Sequence, residues 1–420
     1  MKIAKLLLST IIFLFFIFLF SCSKKDQPHS IPLIPPIDSI GAMNINLSYP
    51  LGTGFSSTMF ELIISTKSDS VLLDTSINFT DTLLTKIRTN EKLVNVTTIY
   101  YNGNFLTYYV NTYKAVNPSE WNQLIQAGNG IYFPLPHQSS FTQGSIHYIN
   151  TPTNYSGYPY FYASYSSGYH STLAADYVDE GYDKYPNAYT YLLFPSTGLY
   201  KLYSPTKDLD TVDLSHMDTA VSMNFTKSAQ YNISSVNLYG TPDTTDFTKF
   251  LLLYSSPVIN YHGADIEYPH QSIQQFVLHV NGQNNNNCYV DYTAYADSVP
   301  LSLPFPDESY YAILNNQNNN FSVEFLNTMP SYYRTTWANS QISFNIYTSP
   351  DSTHLQPYNF LRSLHSQILK NLDITNLSLS QFWFENATNM NYSTFFKYYF
   401  NRDENKKRPL HSTTTFEKTF

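Results

Sequence analysis

The sequence predicts an all-β fold of tandem β-sandwich domains, and three observations carry that prediction. Aromatic residues make up 17% of the 420 residues and outnumber the charged ones at 13%. Tyr, Phe and Thr suit pleated, half-buried strands. Apolar and polar residues alternate with period 2 in many short runs, the mark of a strand with one buried face. A set of short patterns also recurs in the same order in the second half of the chain, as two copies of one sandwich would produce. The same composition excludes other classes. A disordered chain needs high charge and few aromatics, and a coiled coil needs Ala, Glu, Lys and Leu in quantity. The net charge of −8 argues against a nucleic-acid partner, because it repels phosphate.

The first element is a leader. Lys2 and Lys5 precede a 15-residue apolar run, Leu6 to Phe20, which suits the core of a signal peptide and is short for a membrane span. The run ends in Leu19-Phe20-Ser21-Cys22, followed by Ser23-Lys24-Lys25-Asp26. This start resembles the lipobox of outer-membrane lipoproteins of the Bacteroidetes phylum, although Phe20 is bulkier than the residue usual at that place. The resemblance implies that residues 1–21 are removed and that Cys22 is acylated as the mature N-terminus. It also implies that the chain is held in the outer membrane by lipid, facing the cell exterior rather than the periplasm. Residues 22–40 contain Pro28, Pro32, Pro35 and Pro36 and read as a stiff extended tether.

Residues 41–116 predict a small immunoglobulin-like or transthyretin-like sandwich. Ile45, Leu47 and Tyr49 alternate with polar residues, Met59 to Ser65 and Val71 to Asp74 follow, and Asn102-Gly103 sits between two apolar runs as a type I′ hairpin signal. Residues 117–266 and 267–401 predict two related, larger sandwiches. Pro136-His137-Gln138-Ser139 recurs as Pro269-His270-Gln271-Ser272, and Ile146 to Asn150 as Val277 to Asn281. Tyr191 to Tyr203 matches Tyr311 to Phe325, Val221 to Thr226 matches Ile342 to Thr348, and aromatic strand pairs at Val236 to Tyr254 and Phe382 to Phe400 close both copies. One larger sandwich with shared patterning is the alternative. Phe360 to Leu372 has helical spacing. The tracts Asn284 to Asn287 and Asn315 to Asn320 read as exposed loops, since Asn tolerates left-handed backbone. Residues 402–420 read as a polar tail.

Motifs for chemistry are few. The chain has no Gly-x-Ser-x-Gly elbow, His-Glu-x-x-His helix or phosphate-binding glycine loop. Asp176, Asp179, Glu180 and Asp183 cluster around Gly181, and clustered carboxylates suit calcium, the one candidate cofactor. A solvated acidic loop is the competing interpretation, for these and for Asp208, Asp210, Asp213 and Asp218. His262, Asp265, Glu267 and His270 have metal-ligating side chains in a stretch that also reads as an interdomain linker. With Cys22 lipidated, Cys288 is left without a disulfide partner and reads as a buried, inert thiol.

Asp followed by Ser or Thr and then Ala, Ile, Leu, Val, Met or Thr occurs eight times, with the hydroxyl residue at Ser39, Ser70, Thr82, Thr211, Thr219, Thr244, Ser298 and Ser352. The triplet resembles the O-glycosylation acceptor of exported proteins of the same phylum. A turn-ending Asp before a β-branched strand residue yields the same pattern. Tyr160, Tyr162, Tyr165, Tyr292 and Tyr295 are candidate ligand-facing aromatics, because a flat ring with a polar rim suits a sugar. Cross-strand packing is the alternative use of those rings. The functional expectation is a lipid-anchored binding protein of the cell envelope that recognises a glycan or a partner protein without catalysis. A structural or assembly lipoprotein is the first rival, and a glycan-active hydrolase with two carboxylates in a cleft the second.

Overall fold

The structure is a computed structural model. It describes residues 42–47, 59–78, 83–121, 141–153, 160–162, 167–169, 178–183, 190–194, 197–204, 207, 209–224, 230–241, 251–261, 265–269, 273–306, 308–317, 319–401 and 412–420. The described chain is all-β. Its first strands are β1 (Ala42–Leu47), β2 (Met59–Ser65), β3 (Val71–Asn78), β4 (Leu83–Arg88), β5 (Val94–Asn102) and β6 (Thr107–Val116). The middle third supplies β7 (Phe141–Ile149), β8 (Tyr160–Tyr162), β9 (Ser167–Tyr169), β10 (Val178–Asp183), β11 (Thr190–Phe194), β12 (Leu199–Tyr203), β13 (Asp210–Asp213), β14 (Asp218–Thr219), β15 (Val221–Asn224), β16 (Asn232–Thr241) and β17 (Leu251–Tyr261). The last third runs β18 (Asp265–Tyr268), β19 (Gln275–Gln283), β20 (Cys288–Ala296), β21 (Tyr311–Asn315), β22 (Phe321–Phe325), β23 (Tyr332–Ala338), β24 (Ile342–Thr348), β25 (His354–Leu355), helix α1 (Pro357–Ser363), β26 (Ser378–Ala387), helix α2 (Tyr392–Tyr399) and β27 (Ser412–Thr419).

A 12-stranded sheet organises these elements, in the order β17-β16-β19-β20-β27-β26-β23-β24-β6-β5-β2-β3. Its neighbours pair antiparallel except β24 and β6, which run parallel from Ile342 opposite Tyr108 to Tyr347 opposite Tyr113. Strands from all three predicted segments therefore share one sheet. The boundaries expected at 116/117 and 266/267 fall within one unit, Gly41–Phe420.

Both faces of the sheet are covered, and β2 shows why its sequence allows this. Leu62 and Ile64 point to one cluster and Ile63 to the other, all fully buried, so the strand is apolar on both sides. The Ile63 face carries Leu278, Val290, Phe344, Phe382 and Phe416, packed against β11, β12, β15, β18, the three-stranded sheet β21-β22-β25 and α1. β11 in turn has two sides. Tyr191 and Leu193 join that core, while Leu192 and Phe194 pack with Ile146 and Tyr148 of β7 and Val212 of β13. On the Leu62 face, α2 lays Phe395 and Phe396 onto Tyr113 and Tyr332. Burying each of those rings contributes about 1.5–3 kcal/mol.

Several expectations are corrected here. Residues 402–420 are not a tail throughout: β27 sits inside the sheet, paired with β20 and β26. Phe416 is the reason, a fully buried apolar residue packed against Phe384 and Tyr311, on a strand that joins the free edges of β20 and β26. The segment Phe382 to Phe400 is one strand and one helix rather than two strands. The side-chain oxygen of Asn391 accepts from the Thr394 N–H at 3.0 Å, and the Thr394 hydroxyl accepts from the Asn391 N–H at 3.3 Å. That capping box starts α2. The predicted helix at Phe360 to Leu372 is the shorter α1 followed by a single 3-10 turn at Leu369–Asn371. The Asn102-Gly103 hairpin has a longer loop than a type I′ turn, closing at the pair Asn102–Thr107, with Leu106 at φ 51°. The stretch around Asp265 is no linker but a strand paired with β15.

The two proposed copies share element types but not pairing. Hairpins occur at β11–β12 and β21–β22, yet β7 lies between β10 and β13 while β19 lies between β16 and β20. Glycine is scarce, at 14 residues. Asn150, Asn287, Asn319, Asn389 and Asp69 accordingly hold left-handed backbone in its place.

Candidate functional site

The predicted site residues scatter. Cys22, Ser39, Thr82, Tyr165, Asp176, Thr244, His262 and His270 lie outside the described residues. Asp179, Glu180 and Asp183 lie on β10, opposite Ser145, Gly144 and Phe141 of β7, so the expected acidic loop is a paired strand. Among the described residues, no three His, Cys, Asp or Glu side chains gather as a metal site. Asp213 has a structural role: its Oδ1 accepts from Asn150 Nδ2 and from the Ser215 N–H, each at 2.8 Å. Those bonds, led by Asn150, hold its carboxyl at about 2. Cys288 is buried, and burial followed by the Glu308 carboxylate pushes its thiol pKa up, which disfavours the reactive thiolate.

Tyr160 and Tyr162 are on β8, paired with Leu193 and Tyr191. Tyr292 and Tyr295 are buried at 5% and 7% exposure, so neither is a platform for a ligand. Tyr292 faces the main core, and Tyr295 packs with Val277 and Tyr239 on the opposite face. The aromatic surplus in β20 fills the sandwich, as cross-strand packing requires.

The surface with binding character lies elsewhere, on the α2 side of the large sheet. Pairing aligns Tyr113, Tyr347, Arg334, Trp383, Glu417 and Tyr289 in one row across β6, β24, β23, β26, β27 and β20. Tyr113 is buried under α2, whereas the other five are half-buried. Strands are spaced about 4.8 Å apart, so the row from Tyr347 to Tyr289 extends about 19 Å.

Arg334 is the centre of this row. Its guanidinium carbon lies 4.9 Å from the Trp383 ring centre and 5.9 Å from that of Tyr347. Such stacking stabilises a cation by about 0.5–2 kcal/mol. Nη2 donates to Gln381 Oε1 at 3.3 Å, and Nε has no partner. Among the described residues, no carboxylate lies within ion-pair reach of Arg334. Glu385, one row along, is buried and accepts from the Tyr332 hydroxyl at 3.2 Å.

A polar row runs beside the aromatic one. Asn345 Nδ2 donates to Asn111 Oδ1 at 2.9 Å, and the Thr336 hydroxyl donates to Asn345 Oδ1 at 2.7 Å. Gln381 is next in line, with its Oε1 facing Arg334. One further row out, Tyr100 and Tyr109 stack half-buried with ring centres 5.7 Å apart. On the other flank, His279 Nε2 meets Asp291 Oδ2 at 2.9 Å. The surface thus combines flat rings, the half-buried amides of Asn111 and Gln381 and one stacked cation, with Thr336 and Asn345 buried between them.

Sequence reasoning missed this site because its members come from β5 to β27 and meet only through the parallel β24–β6 pairing and the insertion of β27. No local motif joins them. Trp383 carried the only signal in the sequence, as a tryptophan with Gln381 and Glu385 two residues away on either side, the positions that share its strand face. No protein-family model matches the chain, and a search of curated proteins found no match either.

Proposed function

We propose that this chain is a lipid-anchored binding protein of the outer membrane, exposed at the cell surface, which recognises a glycan on the Arg334–Trp383 face of its large sheet. The observation that carries the proposal is the half-buried row Tyr347, Arg334, Trp383, Glu417 and Tyr289, bordered by the half-buried amides of Asn111 and Gln381. Flat rings cover the apolar faces of sugars, while amide and carboxylate groups pair with their hydroxyls. The lipobox-like start supports the anchor, and the proline-rich residues 22–40 act as a tether between anchor and binding face.

Exposure also supports O-glycosylation of the chain itself. Ser70, Thr211, Thr219 and Ser298 are exposed and Ser352 is half-buried, as an acceptor on a folded surface must be. Intact-mass measurement on the native protein is expected to exceed peptide plus lipid, and a mass equal to that sum defeats the glycosylation reading. Cys22→Ala is expected to release the chain from the membrane fraction.

Tryptophan fluorescence tests binding directly. The chain has three tryptophans, and Trp121 and Trp337 are buried at 3% and 2% exposure, so Trp383 is the one open to quenchers. The full chain in detergent is screened on a glycan array. A binding glycan is expected to shield Trp383 from acrylamide, and an empty array would overturn the proposal.

A further inference from the structure

We infer that the glycan carries a carboxylate and that Arg334 is its seat, so that the ligand class is a uronic-acid-containing polysaccharide. This rests on the glycan-binding reading above and narrows it. The Arg334 guanidinium lies over the rings of both Trp383 and Tyr347, which hold it in place on the sheet. It donates to Gln381 and bonds the Tyr347 side chain, keeps Nε buried, and has no ion-pair partner among the described residues. A partly desolvated cation in that state favours an incoming anion with two acceptor oxygens, which a carboxylate supplies in the geometry of the guanidinium fork.

The neighbours match the rest of such a sugar. Trp383 offers a ring face next to the cation, and Glu417, on the far side of that ring, accepts hydrogen bonds from hydroxyls. Gln381 turns its oxygen to Arg334, which leaves its amide N–H groups for a ligand oxygen. The net charge of −8 opposes an acidic ligand at long range. Screening limits that opposition to about 8 Å at physiological salt, whereas the contact with Arg334 is direct.

The test uses the full chain in detergent, with Trp383 fluorescence as the readout and polygalacturonate, alginate and hyaluronan as probes. Each polymer is paired with its carboxyl-reduced, neutral counterpart. At least one uronate polymer is expected to bind, with its neutral counterpart about tenfold or more weaker, and the binding is expected to weaken as salt rises. Arg334→Lys is expected to lose a similar factor, because an ammonium neither stacks flat nor binds in a fork. The chemical change on the ligand keeps the test sound even if that variant folds poorly. Equal binding of charged and neutral forms, or binding of neutral forms alone, overturns the carboxylate inference and leaves glycan binding standing. Binding of neither form on these probes and on the array removes both.

Discussion

Replacing Phe416 with alanine probes the least expected feature of the fold, a central strand formed by residues near the C-terminus. Phe416 is fully buried on β27, stacked on Phe384 with ring centres 5.0 Å apart and edge-on to Tyr311 at 5.3 Å. Truncating a buried Phe to Ala costs about 3–5 kcal/mol, the sum of lost transfer energy and the cavity left behind. That is a large part of the roughly 5–15 kcal/mol that holds a typical protein folded. With a urea slope of about 3 kcal/mol/M, the unfolding midpoint is expected to fall by about 1 M or more. Thr419→Ala on the same strand is the control. Thr419 is exposed, and its loss is expected to change stability by no more than about 0.5 kcal/mol. Urea titration followed by circular dichroism reads both. If residues 412–420 were a solvated tail, the two variants would behave alike; a Phe416→Ala midpoint within about 0.2 M of the parent refutes the buried-strand account.

Three further outcomes follow from buried or bonded groups. Glu61 on β2 is buried and accepts from the Ser366 hydroxyl at 2.5 Å and the Gln367 N–H at 3.1 Å. Burial outweighs those bonds and raises its pKa above the ordinary 4.5, so the folded state holds its proton longer than the unfolded one. Its contribution is full below 4.5 and is lost as pH rises through the raised value. The stability of the parent relative to Glu61→Gln is therefore expected to decline as pH rises above 4.5 in urea titrations, and a flat difference counts against it. Asn150→Ala removes the main bond that lowers Asp213 from 3.8 to about 2, so a carboxyl NMR titration is expected to show its pKa rising. The parent's stability from this carboxylate is present above 3.8 and fades as pH falls towards 2. Asn391→Ala removes the α2 cap and is expected to cost about 1 kcal/mol in thermal or urea unfolding, with Asn391→Asp restoring most of it; equal stability of all three argues against the capping box.

The parts of this structure that were readable from the sequence are those that local chemistry decides. The apolar run Leu62-Ile63-Ile64 within Met59 to Ser65 and the β-branched and aromatic residues of Val94 to Tyr101 specify strands, whatever they later pair with. The Asn tracts specify turns: Asn287 takes φ 58° after Asn284, whose side chain accepts from the N–H groups of Asn286 and Cys288. Cys288 reads as a buried thiol and is one. The Asn391-x-x-Thr394 capping box was also present in the sequence. The aromatic content of Tyr392 to Phe400 nevertheless reads as a strand.

Long-range pairing was not readable, and the candidate site depends on it. Arg334 and Trp383 are neighbours through the antiparallel pairing of β23 with β26, and Glu417 joins because β27 enters between β26 and β20. Tyr292 and Tyr295 look like Tyr289 in sequence, yet the first two are buried and the third is half-open. Alternation tells which residues share a strand face; it does not tell what covers that face. The sequence by itself determined an aromatic-rich, low-charge, all-β chain with Asn-built turns, because backbone preference and burial tendency are properties of short segments. The tertiary structure alone decided that one 12-stranded sheet runs through all the predicted segments and which of its aromatics stay open. Strand partners separated by hundreds of residues are chosen by the total apolar area they bury together, a quantity that no single segment contains.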